Sequence, residues 1–490
     1  VLTSTHLLCG AGGDTKGWAL AGFRPMLAAN HSARVIETHA ANFPDTEHLV
    51  ADVSNIDFRR LPRTDALWAS PVCTEISPAG GRRRSKVSPG QQALLEFGPV
   101  DDATWERTRT TAYEVLRATE ICKYLVVACE NVIEFATDWP LFHWWLGAME
   151  ILGYNATVAC VSSAHIGSPV NPHAPQWRDR VYILFTRKDL RLPDLTPRPS
   201  AFCPECGRDV AAEQWWKNSR GPRIGKYRAQ YVYGCPSTGH RPATVEPYVR
   251  PAASAIDWAD IGTRIGDRPR PLAEATRRRI RIGLDTIGVC QSVVTVNHGG
   301  GDPRVYPVHL SPMATRTRKI GDGLLTPPML VPSGGTWNDN ATTVLDPMRT
   351  RTVRDMEAVV TPPFIAELRR NGTARSIDDP LATITAGGNH HALVVPYYRT
   401  GRAKSAGEPL DTVTVRDRFA LVTGGTVEVD DCYLRMVQPR ESLRGQAFPD
   451  DYVVTGNKGE QTAQAGNAVS VNVARWVGDA AVAVLDGRAA

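Results

Sequence analysis

His6-Leu-Leu-Cys-Gly10-Ala-Gly12-Gly13-Asp14 is an apolar strand running into a glycine turn, and Thr15 to Ala21 behind it has the pattern of a helix. Glycine adopts positive φ without steric cost and lets a ligand come close to the backbone. At the carboxyl end of a strand in an open α/β sheet, that is where nucleosides bind. Taken alone the motif is only a turn before a helix. What decides the fold is that the pattern continues. From Thr5 to about Arg187, short apolar runs (Ala66 to Ala69, Leu125 to Ala128, Val181 to Phe185) alternate with longer amphipathic stretches such as Thr108 to Lys123. The alternation predicts an α/β sheet domain over residues 1–190.

The chain has 490 residues, 42% of them apolar, more than one compact domain usually holds, so at least two domains are expected. No run of about 18 uninterrupted apolar residues occurs. The first residues enter a strand-like segment without a charged-then-apolar leader, so the expectation is a soluble intracellular protein with no membrane partner. Ten cysteines in so long a chain do not make a disulfide scaffold and fit a reducing compartment. Net charge is only +5, yet the 56 Lys and Arg are uneven, with clusters at Arg82 to Arg84 and Arg277 to Arg281. These could line a phosphate surface or be solvated faces.

From Pro193 to about Val427 the texture changes to Pro, Gly, Thr and Arg in short strand-like pieces, which predicts a second, mostly β domain over 191–430. Cys203-Pro-Glu-Cys206-Gly207 is half of a zinc knuckle, and Cys235-Pro-Ser-Thr-Gly-His240 offers the rest. The spacing predicts a tetrahedral zinc on Cys203, Cys206, Cys235 and His240, in a module at about 200–245. Trp215, Trp216, Lys217, Arg220, Arg223, Lys226 and Arg228 lie between the halves, an aromatic and basic mixture suited to DNA. Further on, Pro-(Met or Leu)-x-Thr-x-Thr begins at Pro312, Pro347, Pro380 and Pro409, and an apolar strand follows each (Leu324 to Thr326, Ala358 to Thr361, Ala392 to Val395, Phe419 to Val422). Repeats about 29 to 35 residues apart suggest stacked β units, serving packing or recognition. Residues 431–490 return to helical periodicity over Gln461 to Leu485. Val469, Val473, Val477 and Val484 fall near one face, as for a helix packing back on the first domain.

Several polar residues stand at strand ends. Asn30-His31-Ser32 closes one strand-like stretch, and Ala51-Asp52-Val53 another, where an Asp can accept a hydrogen bond from an adenine amino group. Cys73, in Ser70-Pro-Val-Cys73-Thr-Glu-Ile-Ser77, follows the strand Ala66 to Ala69, which puts the thiol at the mouth of the sheet rather than in the core. Glu130, in Ala128-Cys-Glu130-Asn131-Val132, ends a strongly apolar strand, where partial desolvation is expected to raise its pKa toward useful acid chemistry. Arg178 and Arg180 alternate with Asp179, so both guanidinia are expected on one face.

In order and type these pieces resemble the DNA cytosine-5 methyltransferase family. His6 to Gly13 is similar to its S-adenosylmethionine (AdoMet) glycine loop, Ser70 to Ser77 to its Pro-Cys loop, Glu130-Asn131-Val132 to its Glu-Asn-Val motif, and Gln176 to Arg180 to its Gln-x-Arg-x-Arg motif. Pro439 to Pro449 resembles the motif closing the recognition domain, and Gln464 to Val469 the final motif. The resemblance covers about 1–187 and 432–490. There are departures. Val72, not Pro, precedes the Cys, Thr74 replaces the following Gln, Leu8 takes the aromatic place in the glycine loop, and His31 takes the place of the acid that binds the AdoMet ribose.

The resemblance implies a Rossmann-like AdoMet-dependent methyltransferase domain with a β target-recognition domain. It implies Cys73, Glu130, Asn131, Arg178 and Arg180 as catalytic residues, and Leu8, Gly10, Gly12, Gly13, His31, Asp52 and Asn467 as cofactor contacts. The substrate implied is double-stranded DNA with a flipped cytosine. The setting implied is a monomer in the cytoplasm, at a bacterial nucleoid or in a phage-infected cell, with a restriction-modification role. A tRNA cytosine-5 methyltransferase of the same architecture and a catalytically inactive DNA-binding module are the alternatives. The second domain, over 200 residues long, argues for DNA, and retention of the chemical residues argues against inactivity.

Overall fold

The computed structural model describes residues 1–72, 106–237, 243–257, 263–272 and 429–487, the single positions 260, 274, 277 and 280, and the strands between 292 and 376 named below. In chain order the first domain contains β1 (Thr3–Leu7), α1 (Gly13–Ala21), β2 (Arg24–Asn30), α2 (Ala33–Asn42), β3 (Glu47–Val50), β4 (Ala66–Ala69), α3 (Glu106–Cys122) and β5 (Val126–Asn131). It continues with α4 (Ile133–Thr137), α5 (Phe142–Ile151), β6 (Tyr154–Ser162) and β7 (Asp179–Arg187). The strands form one sheet in the order β3-β2-β1-β4-β5-β7-β6. β7 alone is antiparallel to its neighbours β5 and β6.

A parallel sheet with helices on both faces needs strands that are apolar on both sides, and Ala66, Leu67, Trp68 and Ala69 are all fully buried. Leu67, Val127, Ile183 and Phe185 point into the layer holding Ala112, Val115 and Ala118 of α3 and Trp145 and Met149 of α5. Trp68, Ala128, Tyr182 and Leu184 point to the other face, against Trp18 of α1. Strand order reverses between β1 and β4, the position where open α/β sheets form their ligand crevice.

The C-terminal segment comprises α6 (Pro439–Arg444), α7 (Lys458–Asn467) and α8 (Val471–Asp486). The periodicity over 461–485 is therefore two helices. α7 ends at Asn467, and Ala468 to Ser470 run extended to the start of α8. Val473, Val477 and Val484 of α8 are buried with Trp18. The stretch Lys458–Asp486 is apolar and long enough to cross a membrane by composition, but 67% of its most apolar window is buried. Its apolar side is used against α1.

Beyond β7 come a hairpin of β8 (Ser200–Cys203) and β9 (Arg208–Ala211), then an antiparallel sheet of β10 (Glu213–Trp216), β11 (Tyr231–Gly234) and β12 (Thr244–Val245). The strands that follow are β13 (Thr263–Arg264), β14 (Ser292–Thr295), β15 (Val305–Pro307), β16 (Asp322–Thr326), β17 (Met329–Pro332), β18 (Thr342–Thr343), β19 (Glu357–Val360), β20 (Phe364–Ala366), β21 (Ala374–Ser376) and β22 (Tyr433–Met436). One sheet has the order β13-β22-β16-β14-β15, and another β18-β17-β19.

One expectation needs amending here. β22 pairs with β16 and β13, so the second region's sheet takes a strand from beyond residue 430. Strand pairing is non-local, and the composition change at about 430 could not report it. The repeat strands at Leu324 to Thr326 and Ala358 to Thr361 overlap β16 and β19, which belong to different sheets. Pro312, Pro347, Pro380 and Pro409, the other two repeat strands and Arg82 to Arg84 lie outside the described residues. Arg277, in the second basic cluster, is paired with Asp430, its Nη2 donating to Oδ2 at 2.9 Å.

Candidate active site

Because β1 to β5 run parallel, their carboxyl ends lie along one edge of the sheet. Leu7 is registered with Ala29 and Ala69, and Ala69 with Cys129. Antiparallel β7 brings its beginning to that edge, with Val181 opposite Asn131. One edge therefore gathers the glycine turn after β1, His31 after β2, Asp52 after β3, Pro71 after β4, Glu130 and Asn131 at the end of β5, and Arg178 and Arg180 at the start of β7.

Glu130 is 6% exposed, and Arg180 Nε lies 3.1 Å from its Oε1. The contact is a pairing of charges without an aligned hydrogen bond, and Oε1 accepts none among the described residues. Arg180 also donates from Nη1 to the Asp179 carbonyl at 2.9 Å. Arg178, two residues earlier, has other partners. Its Nη2 donates to the Ala468 carbonyl at 2.7 Å and Nη1 to the Gly466 carbonyl at 3.4 Å, so it fastens the α7–α8 connection to the catalytic edge. Asn131 Nδ2 donates to the Pro71 carbonyl at 3.0 Å, and its Oδ1 accepts the Val132 N–H. Thr111 Oγ1 accepts the Val72 N–H at 3.0 Å. The chain is thus pinned at the two residues before Cys73, which itself lies outside the described residues. Among the other cysteines, burial pushes the thiols of Cys9, Cys129 and Cys160 upward, Cys160 to about 12. These groups stay protonated and inert.

Leu8 and Gly10 both have positive φ, 59° and 51°. A Cβ on Gly10 would find its nearest neighbour, the Asn467 carbonyl, at 3.7 Å, so the turn is open there and Asn467 overhangs it. Gly12 and Gly13 face the protein instead. A Cβ on Gly12 would lie 2.5 Å from Tyr452 Oη, and one on Gly13 2.0 Å from the Val469 carbonyl oxygen. Tyr452 Oη donates to the Ala11 carbonyl at 2.6 Å. His31 and Asp52 are exposed, and Asp52 Oδ1 accepts the Ser54 N–H at 3.0 Å, capping a short 3₁₀ turn. An open left-handed turn with exposed polar groups at the next two strand ends is a donor set that fits a nucleoside.

The thiol sulfurs of Cys203, Cys206 and Cys235 lie within 4.8 Å of one another, and Cys206 and Cys235 are 3.6 Å apart. Desolvation opposes ionisation of Cys235. Hydrogen bonds from the Ser237 backbone and hydroxyl, and from the Cys203 and Cys206 thiols, nevertheless bring it down to about 7. His240 lies outside the described residues. Of the aromatic and basic residues between the thiol pairs, several have internal partners: Lys226 with Glu134, Arg228 with Glu246, and Trp216 against Tyr231. Lys217 is exposed but donates from Nζ to the Arg228 carbonyl at 2.6 Å, and Arg220 and Arg223 are exposed.

Sequence reasoning passed over Thr111, Glu134, Tyr452 and the backbone of Val469. The contact with Val469 had a signal: Gly17 stands four past Gly13 on α1, the spacing of a groove on one helix face that a second helix can enter. Thr111 and Tyr452 act through contacts remote in the chain, and no local pattern marks them.

Residues 2–207 and 330–483 match the sequence model of the C-5 cytosine-specific DNA methylase family. The Type II methyltransferase M.AgeI of Thalassovita gelatinovora is 24% identical over 209 residues, 41% of this chain and 42% of that protein. The chain thus matches less than half the length of that relative. Among solved structures, an E. coli prophage-encoded protein assigned as a DNA modification methyltransferase is 14% identical, covers 99% of this chain and 100% of its own, and has a TM-score of 0.44. A variant of Spodoptera frugiperda DNMT2 is 12% identical, with coverage of 97% and 98% and a TM-score of 0.43. Both likenesses are too slight to argue from, and the assignment rests on the family match across most of the chain: this protein belongs to the C-5 cytosine-specific DNA methylase family.

Proposed function

We propose that the chain methylates carbon 5 of cytosine in double-stranded DNA through a transient bond between Cys73 and the ring. The observation that carries this reading is the convergence at one sheet edge of the Glu130–Arg180 pair and the Asn131–Pro71 tether, the latter two residues before Cys73. Bound AdoMet supplies an electrophilic methyl group. Leu8, Gly10, His31, Asp52 and Asn467 would hold it, with Gly12 and Gly13 shaping the turn from behind.

Carbon 5 of cytosine is a poor nucleophile. Addition of the Cys73 thiolate to carbon 6 makes carbon 5 enamine-like and able to take the methyl group. Charge then develops on the ring. Glu130, hydrogen-bonding or protonating N3, and Arg180, on the O2 side, would meet it. Asn131 orients the loop, and Arg178 keeps the C-terminal segment against the site. Loss of the carbon 5 proton then expels Cys73 and restores the ring. The thiol must reach the face of the ring, so the base leaves the stack at a cost of a few kcal/mol, about what base flipping requires. Arg220 and Arg223, both exposed, would meet phosphates. DNA incubated with protein and AdoMet, digested to nucleosides, should contain 5-methylcytosine; a different modified base, or product only on tRNA, would refute this reading.

Cys203, Cys206 and Cys235 would bind zinc structurally, with His240 as the fourth ligand. About one zinc per chain is expected, lost when Cys203 and Cys206 are both replaced by Ser. Elemental analysis of protein purified without chelator is the check, and metal-free protein would sink the idea.

A further inference from the structure

The loop between β10 and β11 reaches back onto the catalytic edge. Lys226 Nζ lies 2.7 Å from Glu134 Oε1, a carboxylate whose side chain is only 6% exposed and which sits in the first turn of α4, four residues along the chain from Glu130 at the end of β5. The Tyr227 N–H donates to Asp179 Oδ1 at 3.2 Å, and Asp179 lies between the two arginines. Tyr227 is itself fixed, with its ring edge-on to His165 at 4.4 Å and its hydroxyl donating to Glu246 at 2.7 Å. Gln214 Nε2 of β10 donates to the Cys160 carbonyl of β6 at 2.8 Å. The loop is therefore a built contact between the cysteine-bearing module and the segments that carry Glu130 and Arg180.

The charges decide what the contact does. Three carboxylates, Glu130, Glu134 and Asp179, crowd this edge. Arg180 lies against the first and Lys226 against the second, while Asp179 is within charge range of Lys226, Arg180 and Glu134 alike. A buried carboxylate without a partner is costly, and it draws in the nearest cation. We propose that Lys226 is a positioning residue for the ring-binding pair: by neutralising Glu134 it leaves Arg180 to Glu130. The proposal rests on the role of Glu130 assigned above. It gives the cysteine-bearing module a part in the chemical step, separate from any contact with DNA.

The test is single-turnover methyl transfer by wild type, K226M, K226R and the double variant K226M/E134Q, with AdoMet and DNA affinities measured by calorimetry. K226M should slow the chemical step about tenfold or more, with both affinities within about threefold of wild type. K226R should recover most of the rate. The double variant should also recover, because the stranded carboxylate is gone. A wild-type rate in K226M, or a double variant no faster than K226M, would overturn the proposal. A double variant slower still would show that the loop only holds the fold together. Wild type that makes no 5-methylcytosine would overturn the reading beneath and this role with it.

Discussion

Cys73→Ala should lower methyl transfer by at least ~10⁴-fold while leaving DNA binding within a few-fold of wild type, because removing a covalent nucleophile removes the reaction path and not the binding surface. The surroundings make this residue the candidate. The cysteines buried in the sheet are held protonated by desolvation, and the chain leading to Cys73 is pinned at Pro71 by Asn131 and at Val72 by Thr111. Wild type should also form a stable adduct with DNA carrying 5-fluorocytosine, since fluorine cannot leave carbon 5 as a proton does and the thiol cannot then be expelled. Denaturing electrophoresis reads the adduct, and a filter-binding assay reads the affinity. Full activity in the alanine variant, or no adduct with wild type, would exclude the covalent route. Such a result would leave the family assignment in place, because that rests on the match over residues 2–207 and 330–483.

Gly13→Ala should cost about 3 kcal/mol in stability, the upper end of the typical cost of forcing an atom into a packed site, although its backbone is not in the left-handed region. The reason is distance. A Cβ there would lie 2.0 Å from the Val469 carbonyl oxygen and 2.8 Å from Phe448 Cζ, and a backbone carbonyl cannot rotate aside as a side-chain tip can. The same segment is held by Arg178 through Ala468 and Gly466 and by close approach of α8 to Gly17. Pushing Val469 away should therefore loosen the α7–α8 connection, move Asn467 off the glycine turn and weaken AdoMet binding as well. Gly10→Ala is the contrasting variant. Its positive φ costs only ~1–2 kcal/mol and its Cβ has room, so stability should fall less. Urea unfolding followed by tryptophan fluorescence compares the two. Equal stability losses would mean that the close approach at Gly13 does not set the position of the C-terminal segment.

The α/β alternation, the glycine turn and the strand-end positions of Asp52, Pro71 and Glu130 were legible in the sequence, because strands, turns and their ends are local patterns of apolar spacing and glycine. The grouping of Cys203, Cys206 and Cys235 was legible from the Cys-x-x-Cys spacing and the later Cys235. Partner choice was decided only by the tertiary structure. Arg178 and Arg180 share a face and a motif, yet one is bound to Ala468, 290 residues away, and the other to Glu130 across the sheet. Gly12 and Gly13 read as cofactor glycines, but the space beside them is filled by Tyr452 and Val469. Lys226 belongs by type to the basic residues suited to DNA, yet its amine lies on Glu134. Side-chain type and spacing determine which face of an element a group occupies, whereas the distance to a partner hundreds of residues away is set only when the core packs.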